Sequence, residues 1–229
     1  MTVDRVAVLT SGGLDSAILL ADLAQSAFVH PLYVNAGLQW ERDERAALDR
    51  FVSALASPAV GPVVELAAPA GPLIGGSHWS LTGRGVPGTD APDEASFIPG
   101  RNVLLFSTAA VWCATHDVGR IAIGSLGGNP FPDATTEFFE AFGRALGLGL
   151  GRTLKIEAPY RHRAKAALIA EHRELPLHLT LTCANPQDGV HCGFCSKCVE
   201  RHSAFVLAGV EDRTRYLREI KPRTFDHAS

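Results

Sequence analysis

The chain has 229 residues, 46% of them hydrophobic and 20% charged, with a formal net charge of −3. That is the composition of a soluble globular protein with one good core and room for a small appendage, and it argues against non-specific nucleic-acid binding as the main task. The longest nearly apolar run, residues 103–114, is too short for a bilayer and is broken by Ser107 and Thr108. The opening has no charged-then-apolar leader, so a cytoplasmic protein is expected.

A buried first strand is expected at residues 3–10 and a helix at 16–25, joined by Thr10-Ser11-Gly12-Gly13-Leu14-Asp15-Ser16. A strand, a two-glycine turn and a helix start present backbone N–H groups that bind anions, phosphate above all. Gly12 and Gly13 permit close approach to the main chain. Ser11 and Ser16 add hydroxyl donors, and Asp15 suits a Mg²⁺ that bridges phosphate oxygens. No Gly-Lys-Ser/Thr follows, so this is not a Walker A loop, nor is it the G-x-G-x-x-G of dinucleotide folds. The plainer alternative is a βα turn capped by Ser11, with Asp15 serving the helix dipole.

Further strands are expected at 28–35, 62–66, 120–124 and 153–159, and helices at 41–56, 102–115, 135–146, 163–172 and 195–208. Leu48, Phe51, Val52 and Leu55 give the second helix its apolar stripe. Residues 67–100 read as an irregular functional loop, and 177–181 as extended chain. Alternating strands and helices imply an α/β, doubly wound parallel sheet with ligands at the carboxyl ends of its strands. Residues 152–173 hold six Arg/Lys against two Glu, which fits either a solvated helix face or a phosphate-facing surface.

Four of the five cysteines form Cys183-x8-Cys192-x2-Cys195-x2-Cys198, the ligand number and type of a closed, structural Zn²⁺ site. Iron–sulfur and free-thiol readings are the alternatives. His191 adjoins the set, but four cysteines already fill it. Cys113 reads as buried packing. Arg101 opens a helix where the dipole does not want a cation, which favours it as an anion or carboxylate ligand. Asn102 is a reasonable helix N-cap. In the stretch Gly124 to Asp133, the glycines allow close approach and Phe131 offers a face for a planar base. The alternative there is a long turn with Asp133 as the next N-cap. Lys165 suits a phosphate leaving group or solvent.

Ser11-Gly12-Gly13-Leu14-Asp15-Ser16, the cysteine spacing, Pro99-Gly100-Arg101-Asn102, Phe131-Pro132-Asp133 and Lys165 after Ala158-Pro159 together resemble the 7-cyano-7-deazaguanine synthases. These are N-type ATP pyrophosphatases of the queuosine pathway, and the likeness runs from residue 3 to about 201. It implies a five-stranded sheet in the order 3-2-1-4-5, with a nucleotide domain at 1–176 and a zinc-binding helical region at 177–229. It implies ATP and Mg²⁺ at Ser11 to Ser16, with Asp15, Lys165 and Arg101 catalytic. Arg101, Asn102, Gly124, Phe131 and Asp133 would face the substrate, and Zn²⁺ would lie between Cys183, Cys192, Cys195 and Cys198.

The implied reaction activates 7-carboxy-7-deazaguanine as an adenylate and, with ammonia and a second ATP, yields the nitrile. The implied partners are this small acid and ammonia, with neither membrane nor nucleic acid; a homodimer follows by analogy. Departures at Asn35-Ala36-Gly37-Leu38-Gln39, at Ala134-Thr135 and at Ala184 fall where the substrate pocket would be. They leave open a paralogue that conjugates the acid, or another acid, to an amine or a protein N-terminus. A tRNA thiolase would need a reactive cysteine, and only Cys113 stands outside the metal set. A non-catalytic nucleotide binder is the third class.

Overall fold

The computed structural model describes residues 4–220; Val3, the expected start of the first strand, and residues 221–229 of the C-terminal region lie outside them. Strands β1 (Arg5–Leu9), β2 (Phe28–Asn35), β3 (Val64–Ala67), β4 (Arg120–Ile123) and β5 (Lys155–Glu157) form an all-parallel sheet ordered β3-β2-β1-β4-β5. This is the expected order. The chain builds outward from β1 on one side and then returns to β4 on the other, so the carboxyl end of β1 is the switch point at which such sheets bind ligands. Val29 exchanges backbone hydrogen bonds with residues 59 and 61 on the β3 side of β2. Pro31 faces the same side, and its missing N–H falls before the β2–β3 register begins at Leu32.

The helices are α1 (Leu14–Leu23), α2 (Glu41–Leu55), α3 (Gly71–Ile74), α4 (Trp79–Thr82), α5 (Arg101–Thr115), α6 (Thr136–Gly149), α7 (Lys165–Glu171) and α8 (Ser196–Ala208). Successive residues of β1 feed opposite faces of the sheet. Val6 and Val8 pack with α1, Leu168 and Ile169 of α7, and Phe205 of α8, whereas Ala7 and Leu9 pack with Phe106, Ala109 and Phe139 of α5 and α6. A third apolar cluster gathers the four cysteines with Leu38, Trp40, Ile98 and Leu181 at one end of the sheet. Among the described residues no helix is long and apolar enough to cross a membrane.

Several local expectations are corrected. The 67–100 stretch holds α3, α4 and a 3-10 turn at Asp93–Ser96, because Ile74, Trp79 and Leu81 dock on the third cluster and Trp79 stacks on Trp40 at 5.6 Å. Residues 177–179 are a 3-10 turn rather than extended chain, since Arg201 draws in Leu177 O and the Thr180 hydroxyl, each at 2.8 Å. Asn102 is not the cap of α5. Gly100 holds that position in a left-handed conformation, and the Asn102 N–H donates instead to Asp133 Oδ2 at 3.1 Å. Asp133 in turn does not cap α6; Thr135 does, accepting from the Phe138 N–H.

The basic stretch at 152–173 is largely consumed inside the molecule. Arg152 closes the end of α5 by donating to Cys113 O and Ala114 O, Arg161 holds Leu126 O and Gly127 O, and Arg163 pairs with Glu171. These contacts account for Arg152, Arg161 and Arg163, and leave Lys165 as the member of the run that reaches the opening loop.

Candidate functional site

The loop between β1 and α1 lies at the sheet's switch point and is braced from within. Ser16 Oγ donates to Gly13 O at 3.0 Å and accepts from the Ser11 N–H at 3.4 Å, and Ser11 Oγ accepts from the Gly13 N–H at 3.4 Å. The Ser16 hydroxyl is therefore spent on loop shape. Gly13 caps α1 with no side-chain hydrogen bond, which removes the reading of Ser11 as the cap. The α1 amino end therefore starts at the carboxyl end of β1 with no side chain capping its first-turn amides, which a helix leaves without intrahelical partners.

The glycines answer to packing as well as to any ligand. Gly12 has φ +71°, and a Cβ there would stand 2.3 Å from Glu44 O of α2. At Gly124, just past β4, a Cβ would meet the Asp15 carbonyl carbon at 2.9 Å and Ser16 N at 3.0 Å. Gly124 thus belongs with the opening loop, where it lets β4 approach the start of α1.

Asp15 faces across the loop to Lys165, whose Nζ lies 3.3 Å from Asp15 Oδ2 and also contacts Glu200 Oε1. Asp15 Oδ1 is buried with no hydrogen-bond partner. Burial pushes the Asp15 carboxyl up, and Lys165 offsets this only in part. Burial alone would push the Lys165 ammonium down, but Asp15 and Glu200 outweigh it and hold the ammonium above its ordinary range. The pair therefore has a secure cation and an under-compensated carboxylate. An oxygen in that state is suited to a further cation.

A second group of polar residues gathers around Glu44, whose backbone carbonyl borders Gly12. Arg101 has its Nε buried without a hydrogen-bond partner, and its charge acts on Glu44, Tyr33, Glu41 and Asp133. Burial pushes the Glu44 carboxyl up to about 8, with Arg101 pulling it back. Glu41 accepts from the Ala36 N–H at 2.7 Å and the Gly37 N–H at 2.9 Å, and so fixes the chain after β2. Sequence reasoning passed over Glu41 and Glu44, because acids in a first helical turn are already accounted for by the dipole. Asn102, Asp133 and Phe131 lock two loops together: Asn102 Nδ2 donates to Asp133 O at 2.8 Å, and Phe131 packs on Phe97 at 5.1 Å.

The four cysteine sulfurs lie within 4.8 Å of one another, all buried. Cys192 and Cys198 Sγ are 3.8 Å apart and Cys195 and Cys198 Sγ 3.5 Å. A tetrahedral site with metal–sulfur bonds of about 2.3 Å needs sulfurs ~3.8 Å apart, so the donors fit such an ion. Cys183 Sγ also accepts from the N–H groups of Asn185 and Cys192, at 3.3 and 3.2 Å, as outer-shell support for a thiolate. His191 stays outside the set: its Nε2 accepts from the Thr182 N–H at 3.2 Å, and burial, with Arg201 adding, pushes it down to about 3, so it is neutral. The strap from Leu177 to Cys183 joins this centre to the opening loop, since the Leu181 N–H donates to Gly12 O at 2.8 Å. Arg201, 1% exposed, holds the strap's other side through Thr180.

Comparison with known proteins finds relatives over nearly the whole chain. A curated 7-cyano-7-deazaguanine synthase from Syntrophobacter fumaroxidans is 31% identical over 94% of this chain and 97% of its own length. One from Methylobacillus flagellatus is 32% identical over 93% and 96%. Among solved structures, the U34-tRNA thiolase NcsA from Methanococcus maripaludis with its [4Fe-4S] cluster aligns at a TM-score of 0.50 and 15% identity, over 91% of this chain and 71% of that one. At that identity the likeness concerns the fold alone. The family model for the queuosine biosynthesis protein QueC matches residues 5–209, and the chain belongs to that family.

Proposed function

We propose that the chain is an ATP-dependent C–N ligase that adenylates the carboxylate of 7-carboxy-7-deazaguanine and, with ammonia and a second ATP, forms 7-cyano-7-deazaguanine. The observation that carries this reading is Asp15, with one oxygen on Lys165 and the other buried and unpartnered at the mouth of a loop of free helix amides. That oxygen would hold Mg²⁺, which neutralises charge on the departing pyrophosphate when bound. The amides of Leu14, Asp15 and Ser16 take the phosphate oxygens. Lys165 neutralises the leaving group, and Arg101 orients the carboxylate for in-line attack on the α-phosphorus.

Carboxylate attack breaks the bond to pyrophosphate. Ammonia then displaces AMP to give the amide, whose oxygen is adenylated and lost as AMP to leave the nitrile. The cysteine set would hold Zn²⁺ in a structural role. Its sulfur separations support a single tetrahedral ion, because thiolates on different irons of a cubane cluster stand farther apart. Sulfur transfer is disfavoured: Cys113 is fully buried in α5, and burial pushes its thiol up to about 12.

The test is mass spectrometry of products from the enzyme with ATP, Mg²⁺, 7-carboxy-7-deazaguanine and ammonium. The nitrile with AMP is the expected result. A reaction that ends at the amide moves the assignment to a conjugating paralogue, and no AMP with this acid removes it as the substrate.

A further inference from the structure

We infer that Glu200 is a positioning residue for Lys165, fixing its ammonium over the opening loop and so making the loop's cation depend on the cysteine centre. This rests on the reading of Lys165 as the phosphate-facing cation. Lys165 opens α7 with its side chain 14% exposed, and its Nζ is shared between Asp15 and Glu200. Glu200 is itself steadied by Lys197, whose Nζ lies 3.0 Å from Glu200 Oε2. Asp15, Lys165, Glu200 and Lys197 thus form a chain of alternating charge.

A lysine ammonium has three N–H donors, of which the two carboxylates take two and thereby aim the third. The long aliphatic stem does not fix that direction by itself. Asp15 is an unreliable anchor, because its free oxygen is the one suited to a metal cation. Once a cation shares the Asp15 carboxylate, its hold on Lys165 weakens, and Glu200 is the second anchor. Glu200 stands in the second turn of α8, whose N-cap is Cys195 and whose first turn carries Cys198. A helix started by two metal ligands fixes where Glu200 stands, and α7 packs directly on it. The cysteines therefore act on the loop by two routes, the strap ending at Cys183 and the Glu200–Lys165 contact.

The competing role is restraint, in which Glu200 holds Lys165 away from phosphate. The two roles predict opposite results with a pair of variants. Mg²⁺ and inorganic pyrophosphate are titrated calorimetrically into the full chain, into Glu200→Ala and into Glu200→Gln, with metal content and melting temperature checked alongside. Positioning predicts that Glu200→Ala binds about tenfold more weakly, whereas Glu200→Gln, which keeps an acceptor for the ammonium, stays within about twofold of the parent. Equal or tighter binding by Glu200→Ala overturns the inference. AMP formation by the parent with no effect of Glu200→Ala on binding removes only the role of Glu200. The expected binding pattern without AMP formation removes only the ligase reading. A parent chain that binds no pyrophosphate removes both.

Discussion

Asp15→Ala is expected to lower AMP formation from ATP by about 10²–10³-fold, the usual scale for losing one preorganised electrostatic contact to developing charge. The effect should fall on the rate of adenylation, because the proposed cation ligand of the loop is lost with the carboxylate's free oxygen. Glu200 cannot take over, since it is engaged by Lys165 and Lys197. Stability should move the other way or not at all. Burial raises the Asp15 carboxyl, so the ionised side chain is held at a cost to the fold, and Lys165 keeps Glu200 as a partner after its removal. Coupled measurements of AMP release and of thermal unfolding check both halves. An active Asp15→Ala chain would place the chemistry elsewhere, and an inactive but unfolded one would make Asp15 structural.

The largest effect on stability is expected at the cysteines. Cys195→Ser should abolish stoichiometric metal binding and lower the melting temperature by ~10–20 °C. A loss of roughly 5 kcal/mol or more corresponds to that shift at about 2–4 °C per kcal/mol for a chain of this size. The loss is that large because a structural zinc of the kind proposed would contribute ~10–16 kcal/mol of apparent binding energy at neutral pH, comparable with a domain's whole stability of about 5–15 kcal/mol. The sulfurs also anchor the third apolar cluster, so Leu38, Trp40, Ile98 and Leu181 lose their packing with the metal. Metal analysis together with calorimetry measures this. A Cys195→Ser chain with an unchanged melting temperature would make the set ordinary core packing.

The parallel sheet was legible because β1 and β2 are dense apolar runs and the helix after β2 carries a clear apolar stripe. The opening loop and the cysteine spacing were legible because their chemistry is local in the chain. What could not be read is what only tertiary contact creates. Asp133 and Asn102 each look like an N-cap in sequence, yet Asp133 serves α5 from a different loop and Thr135 caps α6. The turn at Leu177 depends on Arg201, which lies 24 residues further on. Glu44 and Glu200 looked like ordinary helix acids until folding set one beside Arg101 and the other against Lys165. The basic run at 152–173 has the composition of a phosphate surface, but Arg152 and Arg161 are spent on carbonyls remote in sequence and Arg163 on Glu171 of the run itself.

The most direct measurement supplies 7-carboxy-7-deazaguanine labelled with ¹⁸O in both carboxylate oxygens and follows the label by mass spectrometry. If the acid is capped with AMP at the loop of Asp15 and Lys165, and the resulting amide is capped a second time, each nitrile formed releases two AMP molecules, each carrying one labelled oxygen. Release of ADP and phosphate, or of AMP free of label, would contradict the account.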